Sequence, residues 1–215
     1  MRRAILGALA GAVLLTLLAT PADAHPHVWV QVRDTFRFDD RGRIEAIVSR
    51  WWLDDVYTAS ALAGLDRNRD GVYSTAELAP LRKEMRSSFS EHGYFTFLTS
   101  DGKPIHFGRG ADLSLAVDAT FLMVELALPL AEPIDPRRSR VELRSLDESY
   151  FVAIDLVPED PVHLEGGVPT SCHAVVESPS EDDAEATLND NVAKNLDLAR
   201  SYAMNAATAI RIECT

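Results

Sequence analysis

The chemistry-bearing residues of this chain fall into two groups that would select different metals. The first is a run of oxygen donors, Asp66-Arg67-Asn68-Arg69-Asp70-Gly71-Val72-Tyr73-Ser74-Thr75-Ala76-Glu77. It matches the twelve-residue EF-hand loop at each metal-touching position. Asp66, Asn68 and Asp70 would turn their oxygens inward, Gly71 would take the bend and Val72 would give its carbonyl. Ser74 would reach through water, and Glu77 would close bidentately. Hard oxygen ligands in this order select Ca2+. Arg67 and Arg69 offset part of the loop's negative charge, which predicts an affinity in the ~0.1–1 mM range of extracellular modules. The sequence has no second loop to pair with this one, so the expected role is a staple between two helices, not a sensor.

The second group supplies nitrogen. Arg2 and Arg3, an apolar run over 4–19, Pro21 and the ending Ala22-Asp23-Ala24 compose a cleavable signal peptide. Cleavage after Ala24 would make His25 the first residue of the mature chain. Its freed α-amino group (pKa about 8) and imidazole Nδ1 would then close a chelate on one ion. His27 adds a second imidazole. Pro26 has no N–H to lose, which excludes the square-planar copper or nickel site that uses a deprotonated second amide. Nitrogen donors of this kind suit Zn2+, Ni2+, Co2+ or Cu2+. His92, His106, His163 and His173 are candidate further ligands that the sequence does not rank, and a plain solvated terminus is the alternative to a site.

The apolar leader is shorter than the roughly 20 residues that cross a bilayer, so the mature protein is expected to be periplasmic or secreted with no membrane span. In that oxidising setting Cys172 and Cys214 should form one disulfide. Closing its loop of about 43 residues is worth roughly 4 kcal/mol in the chain-entropy model. A thiolate site using Cys172-His173 is the alternative. Of 215 residues, cleavage leaves 191, enough for one domain. The leader carries two Arg and one Asp, so the formal net charge of −12 becomes −13 after its removal. Such acidity disfavours nucleic acid and anionic membranes as partners and favours divalent metal ions.

These groups need elements to position them. Val28, Val30, Val32, Phe36 and Phe38 alternate with polar residues as in a half-buried strand, and 39–42 turns the chain into a partner over 44–52. His25 and His27 would therefore begin a strand. Asp54 can cap a helix running to about Leu65, and after the loop Leu78, Leu81, Met85 and Phe89 fall on one helical stripe, giving a helical insertion at about 54–90. Further strands are expected at 94–99 and 105–107, at 113–117 and 122–128 around an Asp118-Ala119-Thr120 turn, and at 141–146, 150–157 and 173–176. The aromatic residues are expected mostly on apolar strand faces or helix stripes. Ser180 would cap a C-terminal helix with the stripe Leu188, Val192, Leu196, Ala199, Ala203 and Ile210, tied by Cys214 back to Cys172. The expected fold is α+β: an antiparallel β-sandwich-like sheet with an inserted EF-hand-like helix-loop-helix and a C-terminal amphipathic helix. Residues 1–24 would be the signal peptide and 25–215 a single domain.

His25-Pro26-His27 before an aromatic-bearing strand, Trp51 with Asp54, the loop 66–77, Tyr94-Phe95-Thr96 and Asp147-x-x-Tyr150-Phe151 occur here in a telling order. In this the chain resembles the domain of unknown function 1007 family, periplasmic proteins labelled as a component of an uncharacterised ABC-type transport system. Members often lie beside nickel/cobalt-type or other transition-metal transporters. The resemblance implies an accessory role in metal handling, with a membrane metal transporter as partner. The doubled Trp51-Trp52, Tyr73 in the loop and the long acidic C-terminal segment depart from the pattern without removing a proposed ligand.

Three functions follow as expectations. The leading one is a periplasmic transition-metal-binding protein, not an enzyme, that releases its ion as the pH falls through the imidazole pKa near 6.5. The second is a copper-dependent oxidative enzyme built on the N-terminal histidine chelate, which would need a flat face of exposed aromatics. The third is a calcium-stabilised interaction module. No Gly-x-Ser-x-Gly turn supports a hydrolase.

Overall fold

The computed structural model describes residues 27–149, 151–179 and 203–215. In chain order its elements are β1 (Val28–Phe38), β2 (Ile44–Leu53), α1 (Asp55–Leu62), α2 (Thr75–Glu91), a 3-10 turn (Gly93–Phe95), β3 (Thr96–Ser100), β4 (Lys103–Pro104), β5 (Asp112–Asp118) and β6 (Phe121–Ile134). β7 (Val141–Ser145), β8 (Val152–Leu156), β9 (Val162–Gly166), β10 (Cys172–Glu177) and β11 (Ala209–Cys214) follow. The fold class is mixed α+β, with two sheets.

The alternation of β1 does what its pattern dictates: Val28, Val30, Val32, Phe36 and Phe38 are buried, while Trp29 and Gln31 are exposed. β2 returns antiparallel, with Phe36 opposite Ile47 and Val30 opposite Leu53. The turn between them closes where Asp39 accepts the backbone N–H groups of Arg41 and Arg43. The larger sheet runs β5-β6-β2-β1-β8, with β9 also on β1; the smaller runs β10-β11-β7-β3-β4.

Two expectations need correction. β8 pairs with Val28–Val32 and β9 with Asp34–Phe38, both parallel to β1, so the larger sheet is not wholly antiparallel. Hairpin spacing governs only strands that are neighbours in both sequence and space. β7 belongs to the other sheet, so the chain changes layers before laying β8 beside β1, and such a crossover permits the parallel direction.

The second correction concerns the expected C-terminal helix. Residues 180–202, including Ser180, Leu188, Val192, Leu196 and Ala199, lie outside the described residues, and residues 203–206 are helical. Ile210 is in a strand, β11, not a helix. Ile210 and Ile212 alternate with Arg211 and Glu213, a period of two, and β10 and β7 pair with the segment on either side. Arg211 bonds Glu142 on β7 at 2.9 Å and reaches Glu177 on β10. Cys214 stands directly opposite Cys172, and the two form the expected disulfide with Cα atoms 4.0 Å apart. It joins strand to strand, and no thiolate remains for a Cys172-His173 site among the described residues.

The inner faces of both sheets meet in one buried cluster, to which Phe36, Ile47 and Leu126 contribute from one side and Leu98, Leu143 and Ile210 from the other. Both helices add to it, α1 through Leu62. Leu78, Met85 and Phe89 of α2 are buried as the stripe predicts, and Trp51 packs against Phe89 and Phe95 at ring distances of 5.1 and 5.7 Å.

Candidate functional site

Between α1 and α2 the loop takes the tight turn that its glycine anticipates, with Arg69 at φ 59° and Gly71 at φ 78°. Asp66 Oδ2 accepts the Gly71 N–H at 3.0 Å, Asn68 Oδ1 that of Asp70 at 3.1 Å, and Asp70 Oδ1 that of Val72 at 2.8 Å. Ser74 is the N-cap of α2 and forms a capping box with Glu77. The Glu77 carboxylate accepts from the Ser74 hydroxyl (2.6 Å) and from the N–H groups of Ser74 (3.0 Å) and Arg67 (2.9 Å). These bonds, the Ser74 hydroxyl first, hold its pKa down to about 2.

The chelating geometry of a filled EF-hand is not assembled: among the described residues no three His, Cys, Asp or Glu side chains converge on a metal-sized point. The physical reason is that each loop carboxylate is bound to a nearby donor, which keeps like charges apart. Asp66 Oδ1, at the first ligand position, is buried and makes no hydrogen bond among the described residues.

Each flanking helix is tied independently to the larger sheet. Asp54 Oδ1 caps α1 at Tyr57 N (2.8 Å) while its Oδ2 accepts the Trp29 N–H (2.8 Å), and Asp54 N–H donates to Trp29 O (2.9 Å). The Thr58 hydroxyl donates to Leu53 O (3.2 Å) and accepts from Leu122 N (2.9 Å). On α2, Arg82 bonds Leu113 O and pairs with Asp112 at 2.7 Å, and Arg86 bonds Ala111 O at 2.9 Å.

Of the nitrogen ligands, His25 lies outside the described residues. His27 stands just before β1, its N–H donating to Phe151 O at 2.9 Å and its ring 4.9 Å from that of Phe151. The other histidines are dispersed. His163 lies opposite Thr35, eight residues along β1 and so roughly 26 Å from His27, and its Nε2 is 2.6 Å from Asp160. His92 ends α2, bonded to Ser88 O at 2.8 Å and stacked on Phe95. His173 is on β10 in the other sheet, opposite Glu213, and His106 is exposed beyond β4.

The sequence reading missed two features. Asp34, wholly buried on the inner face of β1, accepts from the Ser49 hydroxyl and, at 3.4 Å, from the Ser145 hydroxyl of the other sheet. Burial pushes its pKa up to about 6. The signal was a carboxyl at an inward position between Val32 and Phe36. The second is on the outer face, where Trp29, Phe121 and Phe151 are 54, 42 and 47% exposed, exceptions to the expectation that the aromatics fall mostly on apolar faces. Trp29 occupies an outward position of the same alternation, where a polar residue is the rule.

The comparisons with known proteins bear on this arrangement as a whole. Residues 10–214 match the family described as "Protein of unknown function (DUF1007)". Over 196 residues the chain is also 22% identical to an uncharacterized protein of Haemophilus influenzae, covering 89% of this chain and 91% of that relative. With a match that takes in both sheets, the loop and the paired cysteines, the chain belongs to the DUF1007 family.

Proposed function

We propose that the protein is an exported, transition-metal-binding accessory protein that serves a membrane metal transporter, with the loop 66–77 as a calcium staple. The observation that carries this reading is the anchoring of His27. Its backbone N–H is fixed to Phe151 O at 2.9 Å at the head of a sheet strand, so a ligand there loses less conformational entropy on binding than one on a loose arm. The α-amino group and imidazole of His25, with His27, would hold Zn2+, Ni2+, Co2+ or Cu2+ by nitrogen. For Ca2+, the buried oxygen of Asp66 and the separate anchors of α1 and α2 favour a fixed structural ion over a conformational signal. Among the described residues no helix is long and apolar enough to cross a membrane.

The test uses the processed protein, with its first residue identified by mass. Metal content and affinity for Zn2+, Ni2+, Co2+ and Cu2+ are measured in the wild type and in the His25→Ala/His27→Ala double variant. The expected result is a His25 start and a loss of affinity of at least ~10-fold, about 1.4 kcal/mol; another first residue or unchanged affinity sinks the reading. Separately, Ca2+ should raise the unfolding temperature of the wild type and leave that of Glu77→Gln unmoved.

One observation favours a second reading. The exposed Phe151 and Trp29 beside His27 are aromatics of the kind that the substrate face of a copper-dependent oxidative enzyme would carry. Copper-dependent oxygen consumption by the processed protein distinguishes it from storage and delivery.

A further inference from the structure

The outer face of the larger sheet carries a groove of about 500 Å³, with Trp29, Gln31 and Trp52 in its floor and Phe121, Arg33 and Asp155 around it. Register fixes this layout. Gln31 lies between Trp52 on β2 and Asp155 on β8, directly opposite both, and Trp29 is the next residue of β1 on the same face. The volume is that of a small-ligand site, with aromatic surfaces and a few convergent polar groups.

The polar groups decide what would fit. Arg33 is already committed, its Nε to Asp160 O at 2.8 Å and its Nη2 to Glu159 O at 3.2 Å, with its guanidinium 5.7 Å from the centre of the Trp52 ring. Both oxygens of Asp54 at the groove's edge accept backbone N–H groups. The side chains of Gln31 and Asp155 make no hydrogen bond among the described residues. The lining thus carries one positive charge, Arg33, and two carboxylates, Asp54 and Asp155. The carboxylate with no hydrogen bond among the described residues, Asp155, lies beside indole faces whose quadrupole also attracts positive charge. In a chain of net charge −12, a groove whose lining is also net negative favours cations over phosphates and other anions. A compact ammonium ion holds its water tightly, whereas trimethylammonium and guanidinium groups are weakly hydrated and pack against an indole face, the guanidinium lying flat on it.

From this complementarity we infer that the groove binds a soft organic cation through Trp29, Trp52 and Asp155. Arg33 over Trp52 is an internal instance of the same contact. The cation is either a free small molecule or an arginine side chain presented by a partner polypeptide. Trp29 and Trp52 are two of the three tryptophans and the third, Trp51, is buried, so intrinsic fluorescence reads the groove. The processed protein, held in chelator so that metal plays no part, is titrated with tetramethylammonium, N-methylguanidinium, a capped Gly-Arg-Gly peptide and neutral methyl glucoside. Both small cations should give a saturable change and the glucoside none. Asp155→Asn and Trp29→Ala, both at outward positions, should each weaken binding by about tenfold or more with unfolding temperature unchanged. Tighter binding of the peptide than of N-methylguanidinium would identify a polypeptide source, and equal binding a free one. No saturation by about 100 mM cation, a glucoside response as strong as the cations', or full binding by Asp155→Asn overturns the inference.

Discussion

Val28, Val30, Val32, Asp34, Phe36 and Phe38 of β1 face the space between the sheets, whereas Trp29, Gln31 and Arg33 face away, and each set holds one residue of the other's kind. Inside, Asp34 is tolerated because hydroxyls from both layers, Ser49 and Ser145, bond its carboxyl, so a misplaced polar group becomes a tie between sheets. Outside, Trp29 has no such compensation at its ring; it is held through its backbone by Asp54, and its indole stays available. The contrast teaches where to look for function in this strand. An inner exception must be balanced locally to persist, while an outer one costs little stability and can be kept for recognition.

Truncation inside the sandwich should break the contrast most severely. Phe36→Ala removes a fully buried ring and is expected to cost ~3–5 kcal/mol in denaturant unfolding; a loss below about 1 kcal/mol would mean that the inner face is not packed as described. Next comes the charge on Asp34. Its folded pKa is raised from 3.8 to about 6, so the native state holds this proton more tightly than the unfolded chain does. The associated stability is fully present below about pH 3.8 and is lost as the pH rises through about 6, a total of ~3 kcal/mol. Asp34→Asn carries no charge at any pH. Urea unfolding near pH 4 and pH 7 should therefore show the variant losing about that much less stability than the wild type over the interval, and equal losses would dismiss the buried charge. The smallest effect sharpens the outer side: Asp54→Ala removes the cap of α1 and the acceptor of the Trp29 N–H, for ~1–2 kcal/mol. Hydrogen exchange should accelerate at the Trp29 and Tyr57 amides and stay slow at Phe36.

Much of this was legible in order of sequence locality. The period of two in β1 and β2, Asp54 as a cap, the stripe Leu78, Met85 and Phe89, and the Cys172–Cys214 pair all depend on residues close in the chain or on simple parity of cysteines. The parallel placement of β8 and β9 was not legible, because it depends on a change of layer that no local pattern records. The spacing of Ile210 from Ala203 fits a period of 3.6 and so points to a helix, while its alternation with Arg211 and Ile212 spans too few residues to outweigh that pattern locally. For the candidate site, the loop's turn was readable from Gly71, but the engagement of Glu77 with Ser74 and Arg67 is a competition between partners that ligand spacing alone does not decide. The aromatic groove was hidden for another reason: Trp29, Trp52 and Asp155 come from three strands, and only their register makes them neighbours.

The position of β11 between β10 and β7 has a consequence for assembly. The strand latest in the chain lies one in from the edge of the smaller sheet, so β10 has no backbone hydrogen bonds to the β7-β3-β4 part until residues 209–214 arrive. β4, β3 and β7 can pair as the polypeptide emerges, but β10 cannot join them. Its docking is a late event, and deleting those few residues would cut β10 off from the other three strands.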